Sequence, residues 1–355
     1  MCSVFEYRID SIRILLLADT HIGFDSPSRP RIDRRRRGPD FLENFVRALE
    51  PARRREVDFV IHGGDLLYRR RVPAGLVDEA IAPLRVVADQ GVPVLLVPGN
   101  HERSEIPFGL LARHPNIHVF DRPRTHTLQK RGLRISFVGF PFQRRVDGSH
   151  LRATLDASGA LVGEADVRVL CMHQAVEGAR VGAQEFTFRA GPDVIRGADL
   201  PPGYAFVASG HIHRAQHLRT DLRGRRLPAP VVYPGSVERT GFDERKEAKG
   251  YWLMTIAMGV RSGGELHEAR FEALPTRPMV ELDLRGFRGS RDRLERDLRS
   301  RLSALDPNAI VRVRLDERVV AEAWEPRLRA MAPPTMNVVL GRRREPSRWG
   351  DARTG

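Results

Sequence analysis

Seven residues in five short stretches carry the side chains that could do chemistry in this chain. They are Asp19 and His21 in Asp19-Thr20-His21, Asp65 in His62-Gly63-Gly64-Asp65-Leu66, Asn100 in Gly99-Asn100-His101-Glu102, His173 after Met172, and His211 and His213 in Gly210-His211-Ile212-His213. Carboxylate, amide and imidazole donors without a thiolate suit Mn, Fe or Zn ions in a reactive site more than a structural zinc. Asp19 and His21 are one residue apart, as are His211 and His213, and residues i and i+2 of an extended chain point the same way. Each pair can therefore face one ion. Two ions roughly 3.5–4 Å apart can clamp a phosphate, acidify a water and stabilise a leaving oxygen. A bridging carboxylate would hold them that close against their repulsion, and Asp65 is the natural candidate. His101, beside Asn100, could stabilise the transferring phosphoryl group or protonate the leaving oxygen. The alternative is that it supports a ligand.

Each of these stretches closes an apolar run. Residues 12–18, 57–61, 92–97, 167–172 and 205–209 are short and rich in β-branched and aromatic side chains, the pattern of buried parallel strands. In an open α/β sheet, ligands gather at the carboxyl ends of such strands. Helical spacing at Phe41, Phe45, Val46 and Leu49, and again over residues 74–90, fits a β-α-β-α-β order with right-handed crossovers. Pro83 should kink or break the second helix. Residues 231–237, 251–257 and 266–274 read as antiparallel strands of a second sheet. The fold class is thus α/β: a two-sheet β-sandwich flanked by helices, with a small C-terminal α+β cap. The paired prolines of Leu274-Pro275-Thr276-Arg277-Pro278 mark the boundary. This gives a catalytic domain at 1–275, a cap at 276–341, with Leu294, Leu298, Leu302 and Leu305 as a helical stripe, and a frayed tail at 342–355.

At 355 residues the chain can bury one large core and carry a smaller second domain. No run of about 18 apolar residues is present, which argues against a membrane span. Residues 1–10 lack the apolar segment of a secretory signal. Two cysteines, Cys2 and Cys171, offer no disulfide framework and fit a reducing cytoplasm. The net charge of +14 attracts polyanions, nucleic acid first among them. Only three lysines occur, so the positive charge is almost all arginine, a bias that base composition of the gene also produces. Arg69, Arg70 and Arg71 follow the Asp65 loop and are the candidate DNA contacts. The run at 29–37, with Arg34 to Arg37, is a basic loop that is either solvated or phosphate-contacting. His62, His114, His118, His126, His150, His217 and His267 sit in no recognisable pattern and are read as ordinary core or surface residues.

In order and residue type the five stretches resemble the calcineurin-like metallophosphoesterases. More narrowly, the chain is similar to the SbcD-like, meiotic-recombination-type DNA repair exonucleases. That likeness rests on Cys171-Met172-His173-Gln174 with Glu177-Gly178, on Tyr233-Pro234-Gly235-Ser236-Val237-Glu238-Arg239-Thr240, and on Lys249-Gly250-Tyr251. The resemblance implies a two-metal DNA nuclease, exonuclease, endonuclease or both, with Mn²⁺ the usual ion. It places Asp19, His21, Asp65 and His213 on one ion, Asp65, Asn100, His173 and His211 on the other, and His101 on the phosphate side. The partners it implies are DNA, an SMC-like coiled-coil ATPase and a second copy of the chain; the location it implies is the nucleoid. The segment that would hold such an ATPase is not evident after the cap. Glu102 stands where the family commonly has Asp, and Tyr68 where the nucleases commonly have His. A metallophosphoesterase acting on a nucleotide or other small phosphoester is the alternative.

Overall fold

Apolar side chains on both faces of the first strand set the layering. In β1 (Ser11–Leu17), Ile12, Ile14 and Leu16 face one way and Leu15 and Leu17 the other, and all five are fully buried. A strand covered on both sides belongs inside a layered α/β unit. The computed structural model describes residues 11–26, 34–69, 72–102, 113–160, 163–189, 191–258, 264–316 and 324–341.

The chain continues through β2 (Phe59–His62), β3 (Val94–Leu96), β4 (Ile117–Val119), β5 (Arg124–Lys130), β6 (Leu133–Gly139) and β7 (Val167–Met172). Four short strands follow, β8 (Ala175–Val176), β9 (Arg180–Val181), β10 (Phe186–Thr187) and β11 (Val194–Ile195). Then come β12 (Phe206–Ser209), β13 (Gln216–Thr220), β14 (Arg226–Tyr233), β15 (Gly250–Met258) and β16 (Gly264–Ala273). The first large sheet has the order β16-β15-β1-β2-β3-β4, with β1 to β4 parallel. The second has the order β13-β14-β12-β7-β6-β5, with its four inner strands parallel and its edges antiparallel. Ile14, Leu16, Phe59 and Ile61 of one sheet pack on Phe137, Val169, Cys171 and Phe206 of the other. Burial pushes the Cys171 thiol well up, so it is an inert core group.

Helices α1 (Gly38–Ala48), α2 (Glu50–Arg53) and α3 (Ala74–Asp89) join the outer core of the first sheet through Phe41, Phe45, Ala52, Leu84 and Val87. Helix α4 (Gly148–Ala157), capped by Asp147, packs Leu151 and Leu155 on the second. Pro83 lies inside α3 without ending it. One sequence expectation fails here. Residues 231–237 do not pair with 251–257 and 266–274: β14 lies parallel beside β12, whereas β15 and β16 form a hairpin on the first sheet. Alternation identifies a strand but not its partner, because pairing is settled by which core the inward face fills. Met254 and Ile256 fill the space between the sheets from the β1 side.

Met1–Phe24 and Gly38–Pro275 form one compact unit; Asp25–Arg37 and Thr276–Gly355 form the other. The second unit is a parallel sheet of β17 (Met279–Asp283), β18 (Ile310–Arg314) and β19 (Asn337–Gly341), with helices α5 (Arg291–Ser303) and α6 (Trp324–Met331). Leu294, Leu298 and Leu302, four apart on α5, bury against Val311, Val313 and Leu328. The segment Asp25–Arg37, which the sequence places in the first domain, belongs here. The Arg34 guanidinium donates to the carbonyls of Pro333 at 2.7 Å, Met336 at 3.1 Å, Ala332 at 3.2 Å and Arg329, closing the carboxyl end of α6. Arg35 donates its backbone N–H to Pro334 O at 3.1 Å and a side-chain N–H to Asn308 at 3.0 Å. Arg36 pairs with Asp25, and Arg37 is buried. Arg34 and Arg35 thus serve as structural donors within the second unit. The tail at 342–355, like Arg70 and Arg71, lies outside the described residues.

Candidate metal centre

Five loops at the carboxyl ends of β1, β2, β3, β7 and β12 carry the seven residues, and the backbone stitches several of them together. Gly63 donates to Leu17 O at 2.8 Å, Asp19 to Gly64 O at 2.8 Å and His21 to Asp65 O at 3.0 Å. The turns are strained. Among the described residues other than glycine, seven have positive φ, and four of them are Asp19 (+51°), His21 (+46°), Asp65 (+52°) and His211 (+81°). Such conformations cost roughly 1–3 kcal/mol each and persist where the surroundings impose them. Two glycines permit the crowding. A Cβ on Gly64 (φ +108°) would run into the His173 ring, and one on Gly99 into the Asp65 carboxylate.

The donor atoms converge in two overlapping groups. His21 Nε2 and His213 Nε2 are 2.9 Å apart, and with an Asp19 oxygen they make one set whose atoms all lie within 4.8 Å of one another. His213 Nδ1 faces Glu244 Oε1 at 2.9 Å, and a carboxylate only accepts, so Nδ1 carries the hydrogen and Nε2 presents its lone pair inward. Asn100 Oδ1 sits 3.1 Å from His173 Nε2 and 2.9 Å from His211 Nδ1. Asp65 Oδ2 is 3.5 Å from that same His173 Nε2. His173 Nδ1 donates to Gly63 O at 2.7 Å, again turning Nε2 inward. Asp65 also groups with Asp19 and His173, and with His21 and His101, while Asp19 groups with His21 and His213 as well as with Asp65 and His173, so both carboxylates stand between the two sides.

This arrangement fits two divalent cations. Two ligands at right angles and roughly 2.1 Å from one ion lie about 3 Å apart, the spacing of the His21 and His213 nitrogens. Without an ion the same 2.9 Å is a hydrogen bond between the two rings, one nitrogen donating and the other accepting. Charge on the side chains tells the same story. Burial disfavours an imidazolium at His173, yet the adjacent Asp65 carboxylate raises its pKa to about 9. A proton on Nε2 then occupies the point at which an ion would meet Asp65, Asn100 and His173. Burial raises Asp19 to about 6, against the pull of His173 and His213. Burial also acts to raise Asp65, but His173, His21 and His101 hold it well below the usual carboxylate range. Burial, with His173 nearby, lowers His211 to about 3, leaving a neutral imidazole.

His101 lies at the mouth of the site, with its side chain 27% exposed. Its backbone N–H donates to Asp65 Oδ1 at 2.9 Å, and its Nδ1 donates to Tyr68 O at 2.5 Å, so Nε2 points into the site, 3.8 Å from Asp65 Oδ2. The support comes from the carbonyl of Tyr68. Glu102 instead ties two loops, accepting from Leu67 N at 2.9 Å and Gly99 N at 2.7 Å, and burial together with Asp65 raises its pKa to about 7. Among the described residues, His62, His114, His118, His126, His150, His217 and His267 join no group of metal-type ligands. His62 is a core residue, hydrogen-bonded to Thr20 Oγ1 at 3.1 Å. Arg69 is exposed, its guanidinium 5.7 Å over the Tyr68 ring.

Sequence reasoning missed the residues behind the ligands. Lys249 Nζ is fully buried and bonds His213 O at 2.8 Å, Glu244 at 2.8 Å and Glu247 at 3.0 Å. Tyr233 OH donates to Gln174 O at 3.0 Å and accepts from Val176 N at 2.8 Å, fixing the chain just past His173. Both belong to the stretches that carry the nuclease resemblance, which was the available signal. Glu244 lies in no such stretch.

Comparison with known proteins points to one family. Residues 12–215 match the calcineurin-like phosphoesterase family. The DNA double-strand break repair protein Mre11 of Methanopyrus kandleri is 28% identical over 250 residues, 67% of this chain and 51% of that protein. The protein of the same name from Archaeoglobus fulgidus is 26% identical over 288 residues, 76% of this chain and 60% of its own length. The chain thus spans about half to three fifths of these relatives. Among solved structures, a dimetal phosphatase from Danio rerio is 14% identical with a TM-score of 0.41, covering 74% of this chain and 98% of its own.

Proposed function

Because the chain belongs to the calcineurin-like phosphoesterase family, we propose that it is a two-metal DNA nuclease of DNA repair, hydrolysing phosphodiester bonds with Mn²⁺ as its ion. One observation supports the reaction: oxygen and nitrogen donors from five strand ends gather in overlapping groups beside a partly exposed histidine. DNA as substrate is supported by the net charge of +14 and by relatives named for double-strand break repair.

Asp19, His21, Asp65 and His213 would hold one ion, and Asp65, Asn100, His173 and His211 the other. Bound there, the ions supply the positive charge that polarises a phosphodiester and acidifies the attacking water. The protein does the rest. Gly63 O and Glu244 fix the tautomers of His173 and His213. Tyr68 O holds His101 so that Nε2 can carry a proton to the leaving oxygen. An SMC-like ATPase and a second copy of the chain are the proposed protein partners. Among the described residues no helix is long and apolar enough to cross a membrane.

The test is substrate profiling with Mn²⁺, labelled DNA and a panel of small phosphodiesters. Cleavage of DNA with strong dependence on salt is expected. Turnover of small esters alone, with DNA untouched, would give first place to a phosphoesterase of small substrates.

A further inference from the structure

We propose that the loop at 141–146 selects a single-stranded polynucleotide, with a base stacked on Phe142 and neighbouring phosphates taken by Arg144 and Arg145. The proposal rests on the nuclease reading above and names the form of its substrate.

The loop leaves β6 beside the metal centre and is held at both ends. Phe142 N donates to Pro98 O at 2.9 Å, next to the Asn100 turn, and Gln174 Nε2 donates to Gln143 O at 2.9 Å, next to His173. Gln143 Nε2 bonds Thr154 Oγ1 at 3.1 Å, and Val146 N donates to Pro192 O at 2.8 Å. The Phe142 ring lies 5.5 Å from the His211 ring and 6.1 Å from that of His173. Phe140, two residues earlier, is fully buried in the core, whereas Phe142 stays partly exposed. An aromatic that only packed the ligands would be covered as Phe140 is. Arg144 and Arg145 are exposed, and neither makes an ion pair with any described residue.

A fixed aromatic side chain next to the candidate metal centre, with cations two and three residues along, is the combination by which proteins hold single strands. Stacking accepts any base, and the cations follow the backbone. A duplex keeps its bases stacked on one another and offers none to Phe142. A small phosphoester has no flanking nucleotides for the arginines.

The probe is a cleavage-resistant phosphorothioate single strand carrying the fluorescent base aminopurine near its end, bound in the presence of Mn²⁺. Wild-type protein should quench the fluorescence. Phe142→Ala should lose the quench and bind roughly tenfold more weakly, and Phe142→Trp should restore both. Arg144→Gln with Arg145→Gln should flatten the slope of log affinity against log salt by about 1.4, the value for two contacts on a single strand. Metal content, measured on every variant, should stay at the wild-type level. Unchanged quenching and slope overturn the proposal. Loss of metal in Phe142→Ala overturns it too, because the ring would then be a packing support. If wild-type protein neither binds nor cuts DNA, the nuclease reading falls and takes the loop's role with it; if it cuts DNA but the variants bind normally, only the loop's role falls.

Discussion

Glu244 Oε1 lies 2.9 Å from Nδ1 of His213, and a fully buried lysine, Lys249, reaches the other Glu244 oxygen at 2.8 Å. The carboxylate is thus fixed from behind and in turn fixes the ring that closes the site. Residues that orient a ligand in this way typically change metal affinity 10–100-fold when lost. Glu244→Ala should weaken Mn²⁺ binding by about that factor in a calorimetric titration, and Glu244→Gln, which can still accept from Nδ1, by less. Wild-type affinity in Glu244→Ala would remove Glu244 from any role at His213.

Asp65 lies among metal-type donors with His173 on one side and with His21 on the other, and we propose it as the bridge. Asp65→Ala should therefore lose both ions, whereas Asp19→Ala should weaken only one. Elemental analysis after gel filtration gives the count. Two ions per chain retained in Asp65→Ala would end its role as the bridge. Chelation should abolish turnover of the wild-type protein, and Mn²⁺ should restore it.

His101 is partly exposed at the mouth of the cluster and is held through its Nδ1 by a backbone carbonyl. His101→Gln should keep its metal and its affinity for DNA, yet lose about 10²-fold or more in kcat, the scale of general acid or electrostatic assistance. A variant that loses an ion instead would make His101 a ligand.

Arg69 is exposed one residue past Tyr68. If it meets a phosphate, Arg69→Glu should lower DNA affinity and flatten the salt slope by about one unit. Affinity that ignores both salt and this substitution would show the basic charge to be compositional.

Arg34 donates to four carbonyls around the carboxyl end of α6. Arg34→Ala leaves those acceptors without their cation and should destabilise the second unit by ~2 kcal/mol. Trypsin should then cut within residues 25–37 faster than in wild-type protein, a rate readable by mass spectrometry. An unchanged digestion pattern would mean that other contacts hold the segment.

The candidate ligand positions stand out in the sequence because each follows a short apolar strand within a few residues, so local pattern and chemistry coincide. The same locality explains what was missed. Glu244 and Lys249 act on His213 across 31 and 36 residues of sequence, and nothing in their spacing marks them. Glu102 stands where the family commonly has Asp, and its carboxylate accepts from the N–H groups of Leu67 and Gly99, partners that lie 35 and 3 residues away in sequence. The arginine run was read from its charge alone. Carbonyl acceptors brought close by folding carry no charge, so Arg34 gave no sign of its partners. The placement of β15 and β16 escaped for a related reason: their alternation specifies an inward face but not which sheet supplies the neighbour.

Because Asp25–Arg37 belongs with residues near the other end of the chain, the order of synthesis matters. Arg34 and Arg329 are separated by 295 residues. At about 5–20 residues per second, a ribosome needs about 15–60 s to make that length. For that interval the first unit can complete its two sheets while a strongly basic strap, beginning four residues after His21, waits for the carbonyls that will hold it. A chain released early, near Pro275, would carry every candidate ligand yet leave Arg34 without a destination. In a cell full of polyanions, that unheld basic segment would attract them without specificity.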